Sequence, residues 1–302
     1  MFEGLVRQVL LGYLGQYIKD IQKEQLKITL WNEEVLLENV DLILEAFEYL
    51  QLPFSLKQGR VGRLSIKIPW KKLGWDPIII VLEDVHLSAS QRDDHEWSAD
   101  AIERREWAAK KAKLTAAELG KLSSRVSDNR SGQAFIAYIA GKILENIQVS
   151  VRNVHILYCG GHHHSAVIGL GFSSLTILKQ SSSPIWSSRY TQKPGQISKV
   201  AEIHGLGLYC DVFHGCHDAE ASEKLLHTWT GAVKAVKNDF IVAPFDASFL
   251  VVKSGKLEHD SPQYTVMAES GKLELFIDAA QLQHMLALSD YISVCRLREN
   301  VI

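Results

Sequence analysis

Four side chains able to hold a soft metal ion fall close together at Cys210, His214, Cys216 and His217, with His204 just upstream. Zinc favours Cys and His, but this spacing does not reproduce its usual ligand pairs, and the run reads as a strand passing into a loop. No metal site is expected there. His162-His163-His164 follows Gly160-Gly161 and reads as an exposed turn. Gly255-Lys256 lacks the glycine five residues earlier that a phosphate-cradling loop needs. The pairs Gly169-x-Gly171 and Gly205-x-Gly207 sit inside strand-like runs without the rest of a dinucleotide fingerprint, so they point to close backbone packing or a bulge. No Gly-x-Ser-x-Gly elbow occurs, and Glu83-Asp84 reads as a solvated edge, not a general acid and base. Nothing in the chain assembles a catalytic constellation, so neither an enzyme nor a cofactor is predicted.

The elements that carry these residues are more informative. In the first twenty-one residues Phe2, Leu5, Val6, Val9, Leu10, Tyr13, Leu14, Tyr17, Ile18 and Ile21 recur three and four apart, which predicts one amphipathic helix. Charges interrupt it, so it is neither a membrane span nor a secretory signal, and a cytosolic chain is expected. Leu26, Ile28 and Leu30 then alternate with Lys27 and Thr29, and Asn32-Glu33-Glu34 turns into a return strand to about Val40. A helical piece over Ile43 to Leu50 stops at Leu52-Pro53. Strands resume at Leu64, Ile66 and Ile68 and at Ile78 to Ser88. Residues 91–125 are charged and alanine-rich, with Glu106 and Lys110 as an i,i+4 pair, and predict a solvated helix or helical hairpin. A second amphipathic helix is predicted at Gln133 to Asn146.

Long strands follow over roughly 147–159, 165–179, 199–213, 239–253 and 263–277. A last helix, Asp278 to Arg298, places Leu282, Met285, Leu286, Ser289 and Ile292 inward. Gln180 to Gln196, rich in Ser with Pro184, Pro194 and Gly195, predicts a long mobile loop. At about 3.3 Å per residue, strands of eleven residues reach about 36 Å, more than a compact sandwich needs. Such strands with one apolar face must curl, pair with a second sheet, or hold something greasy. The 302 residues, 46% of them hydrophobic, suffice for a large core; a net charge of −2 leaves no basic stripe for nucleic acid. Cys159, Cys210, Cys216 and Cys295 are too sparse for a disulfide framework.

Phe2-Glu3-Gly4-Leu5, Leu14-Gly15-Gln16-Tyr17, Leu26-Lys27-Ile28-Thr29-Leu30-Trp31, Leu52-Pro53-Phe54, Gly62-Arg63-Leu64, Ile68-Pro69-Trp70-Lys71 and Leu82-Glu83-Asp84-Val85, in this order, resemble the chorein N-terminal domain. That domain opens the vacuolar protein sorting-associated proteins of the chorein family, which are bridge-like lipid transfer proteins. Val149 to Ile156, and Gln281-Leu282-Gln283 with Leu286 and Leu288, are similar to later parts of the same family.

The resemblance implies an α+β fold: a long curved antiparallel β-sheet forming an apolar groove, an N-terminal amphipathic capping helix, inserted helices and a C-terminal helix. It divides the chain into 1–90 (helix and first groove strands), 91–147 (inserted helical region) and 148–302 (continuing strands and closing helix, one unit with 1–90). It implies binding and transfer of glycerophospholipids at membrane contact sites, with the N-terminal end facing the endoplasmic reticulum, phospholipid as cargo, and a scramblase or adaptor as further partners. The protein would be cytoplasmic and peripheral at those membranes. The alternative function is a non-transporting docking scaffold for vesicle-traffic or autophagy proteins. Read with the alternation, the lipid-facing residues would be Leu26, Ile28, Leu30, Leu64, Ile66, Ile68, Ile79, Val81, Val149, Val151, Ile156, Leu206 and Leu208, and Phe2, Leu5, Val6, Val9 and Leu10 would face the membrane.

Overall fold

The computed structural model describes residues 15–19, 34–69, 72, 76–125, 146–160, 166–193, 196–212, 240–254 and 262–301. The predicted helix up to residue 14, the strand at 26–30 and most of the helix at 133–146 lie outside them. Residues 15–19 form a turn in which Ile18 bridges Leu42, so the opening helix does not extend through Tyr17 and Ile18 as its periodicity suggested.

Among the described residues eight strands form a single curved sheet in chain order: β1 (Glu34–Asp41), β2 (Ser55–Lys67), β3 (Ile79–Ser90), β4 (Gln148–Cys159), β5 (Ala166–Lys179), β6 (Ile197–Val212), β7 (Phe240–Lys253) and β8 (Tyr264–Ser270). Neighbours are antiparallel except β3 and β4, which are parallel. A parallel joint needs a crossover of a dozen residues or more, and residues 91–147 supply it. This crossover holds a 27-residue helix, α1 (Ala99–Arg125), the single-helix alternative of the two the sequence offered. Its Lys110 Nζ meets Glu106 Oε2 at 3.1 Å, as the i,i+4 spacing predicts. β8 ends at Ser270, yet Ala243 N donates to Glu274 O and Phe276 N to Ile241 O, so the edge pairing continues along residues 271–277.

The strands share an unusual level. Asn39, Asp84 and Asn153 have φ of 51°, 56° and 50°, and Gly205 has 65°. Pairing places them on one line across the sheet: Asn39 and Gly62 lie between the pairs Glu38–Arg63 and Val40–Val61, Asp84 lies between Glu83 and Val85, and Asn153 between Arg152 and Val154. Ser173 and Gly205 continue the line between Ser174–His204 and Gly171–Gly207. A left-handed residue inside a strand breaks the two-residue alternation and bends the chain. Side chains therefore change parity at this crease while staying on one face: Val35, Leu37 and Val40 share a single cluster, as do Leu64 with Val61 and Val151 with Val154. Asn and Asp tolerate this backbone because their short polar side chains bond locally. Asn153 Nδ2 donates to Asp84 Oδ1 at 2.5 Å, and Gly205 N donates to Asp246 Oδ1 at 2.8 Å.

Residues 180–193, the described part of the segment whose Ser and Pro content suggested a long mobile loop, are ordered on the sheet. They fold into a 3-10 turn (Gln180–Ser182) and a short helix, α2 (Trp186–Arg189), held on the sheet. Trp186 packs against Leu178, Val200, Leu250 and Val252, and its Nε1 donates to Ser248 Oγ at 2.6 Å. Burial of one indole outweighs the local turn chemistry of Ser and Pro.

The last helix, α3 (Ala279–Val301), starts with a reciprocal cap in which Gln281 N donates to Asp278 Oδ1 and Asp278 N to Gln281 Oε1. It runs from β6, where Gln281 Nε2 reaches Cys210 O, back to the chain before β2, where Tyr291 Oη donates to Pro53 O at 2.8 Å. Its buried side carries Gln281, Met285, Tyr291 and Cys295, whereas Leu282 and Leu286, expected inside, are exposed. The two anchoring polar groups fix the helix rotation, which leucine spacing alone does not.

Candidate functional site

Following the pairing register across the sheet assigns each side chain to one of two faces. One face reads Val35, Leu37 and Val40 on β1; Val61, Leu64 and Ile66 on β2; Ile80, Leu82, Val85 and Leu87 on β3; and Val149, Val151, Val154, Ile156 and Tyr158 on β4. It continues with Ile168, Leu170, Phe172, Leu175 and Ile177 on β5, Ala201, Ile203, Leu206 and Leu208 on β6, Val242, Phe245, Ala247 and Phe249 on β7, and Val266 and Ala268 on β8. The same register adds Lys179, Lys199 and Lys253 at one end of this face and Ser270 on β8; between them, apart from the Tyr158 hydroxyl, the side chains of the series are apolar. This face lines the groove of the curved sheet.

How well this face is covered changes along it. On β1 and β2 it is a packed core: Leu37 and Val61 are each 2% exposed, and Ile18 seals them. From β5 onward, of the side chains just named, only Ala247 is buried, and Val266 on β8 is 62% exposed. Met285 of α3 covers part of one rim, against Ile168, Leu208 and Val242. The groove is thus closed at its β1 end and open toward β8.

The opposite face is polar at its centre. Glu83 Oε1 and Oε2 meet Arg152 and Arg63 at 3.0 and 3.7 Å, so Glu83 is an ion-paired residue of the convex face. His204 Nδ1 lies 3.2 Å from Asp246 Oδ2. Buried beneath this layer, His155 Nε2 and Tyr209 Oη lie 2.7 Å apart. Burial, with His86 beside it, pushes the His155 imidazole down to about 4, so it is neutral at pH 7. Gly169 is required by that arrangement: a Cβ there would stand 2.0 Å from the Tyr209 ring.

Of the residues read from sequence, Val149, Val151 and Ile156 lie on β4 of the apolar face, with Val151 and Ile156 packed against the closed-end cluster, and Leu206 and Leu208 lie on its more open part. Leu64, Ile66 and Ile68 belong to the packed cluster at its closed end. Ile79 and Val81 are corrected to the convex face, because they pair with Lys67 and Ser65 while Ile80 and Leu82 point into the groove. Four consecutive apolar residues from Ile78 to Val81 gave no alternation from which to choose. Leu26, Ile28 and Leu30, and Phe2, Leu5, Val6, Val9 and Leu10, lie outside the described residues. So do His214, Cys216, His217 and His162 to His164. Among the described residues no three His, Cys, Asp or Glu side chains gather to hold a metal ion.

A further group, Leu170, Phe172, Leu175, Ile177 and Ile203, lines the groove but escaped the sequence reading. Its signal is two offset alternations on β5, Ile168-Leu170-Phe172 and Leu175-Ile177, separated by Ser173-Ser174.

The family model for the VPS13-like family N-terminal region matches residues 1–298. The chain belongs to the VPS13-like family. The intermembrane lipid transfer protein VPS13 of Chaetomium thermophilum is 33% identical over 218 residues, which is 70% of this chain and 7% of that protein. The intermembrane lipid transfer protein vps13A of Dictyostelium discoideum is 26% identical over 317 residues, 96% of this chain and 9% of its own. The intermembrane lipid transfer protein VPS13A of Mus musculus is 23% identical over 320 residues, covering 100% of this chain and 10% of its own length. The chain therefore spans a tenth or less of these VPS13 relatives. Among its described residues no helix is long and apolar enough to cross a membrane.

Proposed function

We propose that this chain binds glycerophospholipids by their acyl chains on the open apolar face and passes them between membranes, as a segment of a lipid conduit. The observation that carries the reading is one predominantly apolar face that crosses the eight described strands, packed shut at β1 and β2, half-buried over β5 to β7 and exposed at β8. Val149, Val151, Ile156, Leu206 and Leu208 line the path, together with Leu170, Phe172 and Ile203. At about 0.8 kcal/mol per methylene, an acyl chain of about 16 carbons leaving a bilayer needs about 12 kcal/mol of replacement burial, which a continuous strip of Leu, Ile, Val and Phe supplies. Bilayer and groove are both apolar, so the exchange is close to neutral and direction comes from a gradient or a partner.

Transfer makes and breaks no covalent bond, so the chain needs no catalytic residue and no cofactor. The identity of its VPS13 relatives as intermembrane lipid transfer proteins supports the reading. We place the closed end at the endoplasmic reticulum, the protein as peripheral there, and a scramblase or adaptor as its neighbour. Lipid mass spectrometry on protein purified by size exclusion without detergent tests the proposal. Co-purifying glycerophospholipid near one equivalent or above is expected, and a folded, lipid-free protein that also takes up no added lipid would overturn it.

A further inference from the structure

Beside the closed end of the groove lies a cavity of about 400 Å3, bounded by the 3-10 helix Leu44–Leu50, the start of β2 and the first turns of α1. Its size falls within the usual range of small-molecule sites. Its apolar walls are Leu44, Phe47, Leu52, Phe54 and Leu56. They adjoin the groove face: Leu56 pairs with Ala89, and Phe54 meets the ring of Tyr158 edge-on at 6.1 Å.

The charged groups around the cavity separate into two sets. Arg92, Lys57, Asp93 and Glu96 neutralise one another, with Arg92 to Glu96 at 2.9 Å and Lys57 to Glu96 and Asp93 at 3.3 and 3.6 Å. Arg105 is buried, and its guanidinium donates to Glu96 O at 2.8 Å. Glu45, Glu48 and Arg104 also line the cavity, and none of their side chains has an ion pair or hydrogen bond with another described residue. A cavity of mixed apolar and polar lining beside the groove face, with two carboxylates and one guanidinium free of side-chain partners among its lining, matches an amphipathic ligand bearing both charges.

We infer that this cavity is a headgroup subsite for an amine-bearing, zwitterionic glycerophospholipid, an inference that rests on the lipid-binding reading above. The Arg104 guanidinium takes the phosphate, for which its planar fork is suited. Glu45 and Glu48 take the ammonium group, and the glycerol backbone leads the acyl chains past Phe54 and Leu56 onto the groove face. A serine headgroup would bring its additional carboxylate, on the same carbon as the ammonium group, beside Glu45 and Glu48, so it is disfavoured against ethanolamine.

The test offers the full chain an equimolar mixture of ethanolamine and serine glycerophospholipids with identical labelled acyl chains. The ratio of bound lipids and the total bound are both read. An exposed ion contact is worth up to about 1 kcal/mol, so an ethanolamine-to-serine ratio of about three is expected. E45Q/E48Q should bring the ratio to about one with total loading unchanged, which also shows that the variant folds, and E45K/E48K should reverse it. Full loading with a ratio of one in the native chain, or a ratio untouched in E45Q/E48Q, would overturn the subsite and leave the groove standing. No loading of either lipid by the native chain would overturn the groove reading and the subsite with it. Displacement of the labelled lipid by an equal concentration of free phosphoethanolamine would assign the cavity to a soluble headgroup and overturn the lipid subsite.

Discussion

Asn153→Val places a β-branched side chain at a backbone φ of 50°, on the line where the strands bend. A left-handed conformation costs an ordinary L-residue about 1–2 kcal/mol, and a β-branched one sits at the upper end. The valine also removes the donor to Asp84 Oδ1 at 2.5 Å, an exposed bond worth about 1 kcal/mol. The sum is about 2–3 kcal/mol. Asn153→Gly loses the same hydrogen bond but adopts positive φ without strain, so its net cost is about 1 kcal/mol or less. Urea unfolding followed by circular dichroism separates the two. With a slope of about 3 kcal/mol per molar urea, the valine variant should unfold about 0.7–1 M earlier and the glycine variant within about 0.3 M of the native chain. The contrast isolates backbone conformation from the lost bond. Equal midpoints for the two variants would refute the argument that the fold demands a left-handed residue at this level.

Groove and core positions should respond differently to the same charge. Ile203→Asp with Leu206→Asp, on the open part of the face, should leave the chain folded and lower lipid loading about ten-fold or more, read on native gels with fluorescent lipid. Ile66→Asp, in the packed cluster, should destabilise the fold by several kcal/mol, about the cost of an unpaired buried polar group, and show as loss of the cooperative urea transition. For pH, the folded His155 is held at about 4 against a usual 6.5, so the unfolded chain binds the proton more readily. Stability is full above about 6.5 and is lost as pH falls toward 4, by about 3 kcal/mol in total, with His86, also lowered by burial, adding in the same direction. Urea midpoints at pH 7 and pH 5 check the slope, which His155→Phe should reduce.

The strands from β4 to β7 were legible almost to the residue, because β-branched and aromatic residues alternate over long runs there. Face assignment was harder. A strict two-residue period carried through β4 would send either Val151 or Ile156 outward, and only Asn153 between them allows both to face the groove. The clue is repeated in the sequence: Glu38-Asn39, Gly62-Arg63, Glu83-Asp84, Arg152-Asn153, Ser173-Ser174 and His204-Gly205 each interrupt an apolar alternation with two polar or glycine residues. Seen singly, each doublet resembles an edge or a bulge; only the register aligns them. The cavity beside the closed end was not legible at all, since its walls come from residues 44–56 and its charges from residues as distant as Arg104. Segment 180–196 misled because composition reports turn propensity and is blind to where one tryptophan will be buried.

Strands that lie in chain order make the groove a ruler. If cargo moves from strand to strand, each strand adds about 4.8 Å of travel, and the seven intervals from β1 to β8 give about 34 Å. A helix gains about 1.5 Å per residue, whereas here a strand of about a dozen residues is spent crosswise for each step, so distance is measured in whole strands. Because the crease is set by main-chain torsion and the lining by side chains, additional strands can repeat the cross-section without repeating the sequence. Reach and chemical character thus become separate variables, one counted in strands and the other chosen residue by residue.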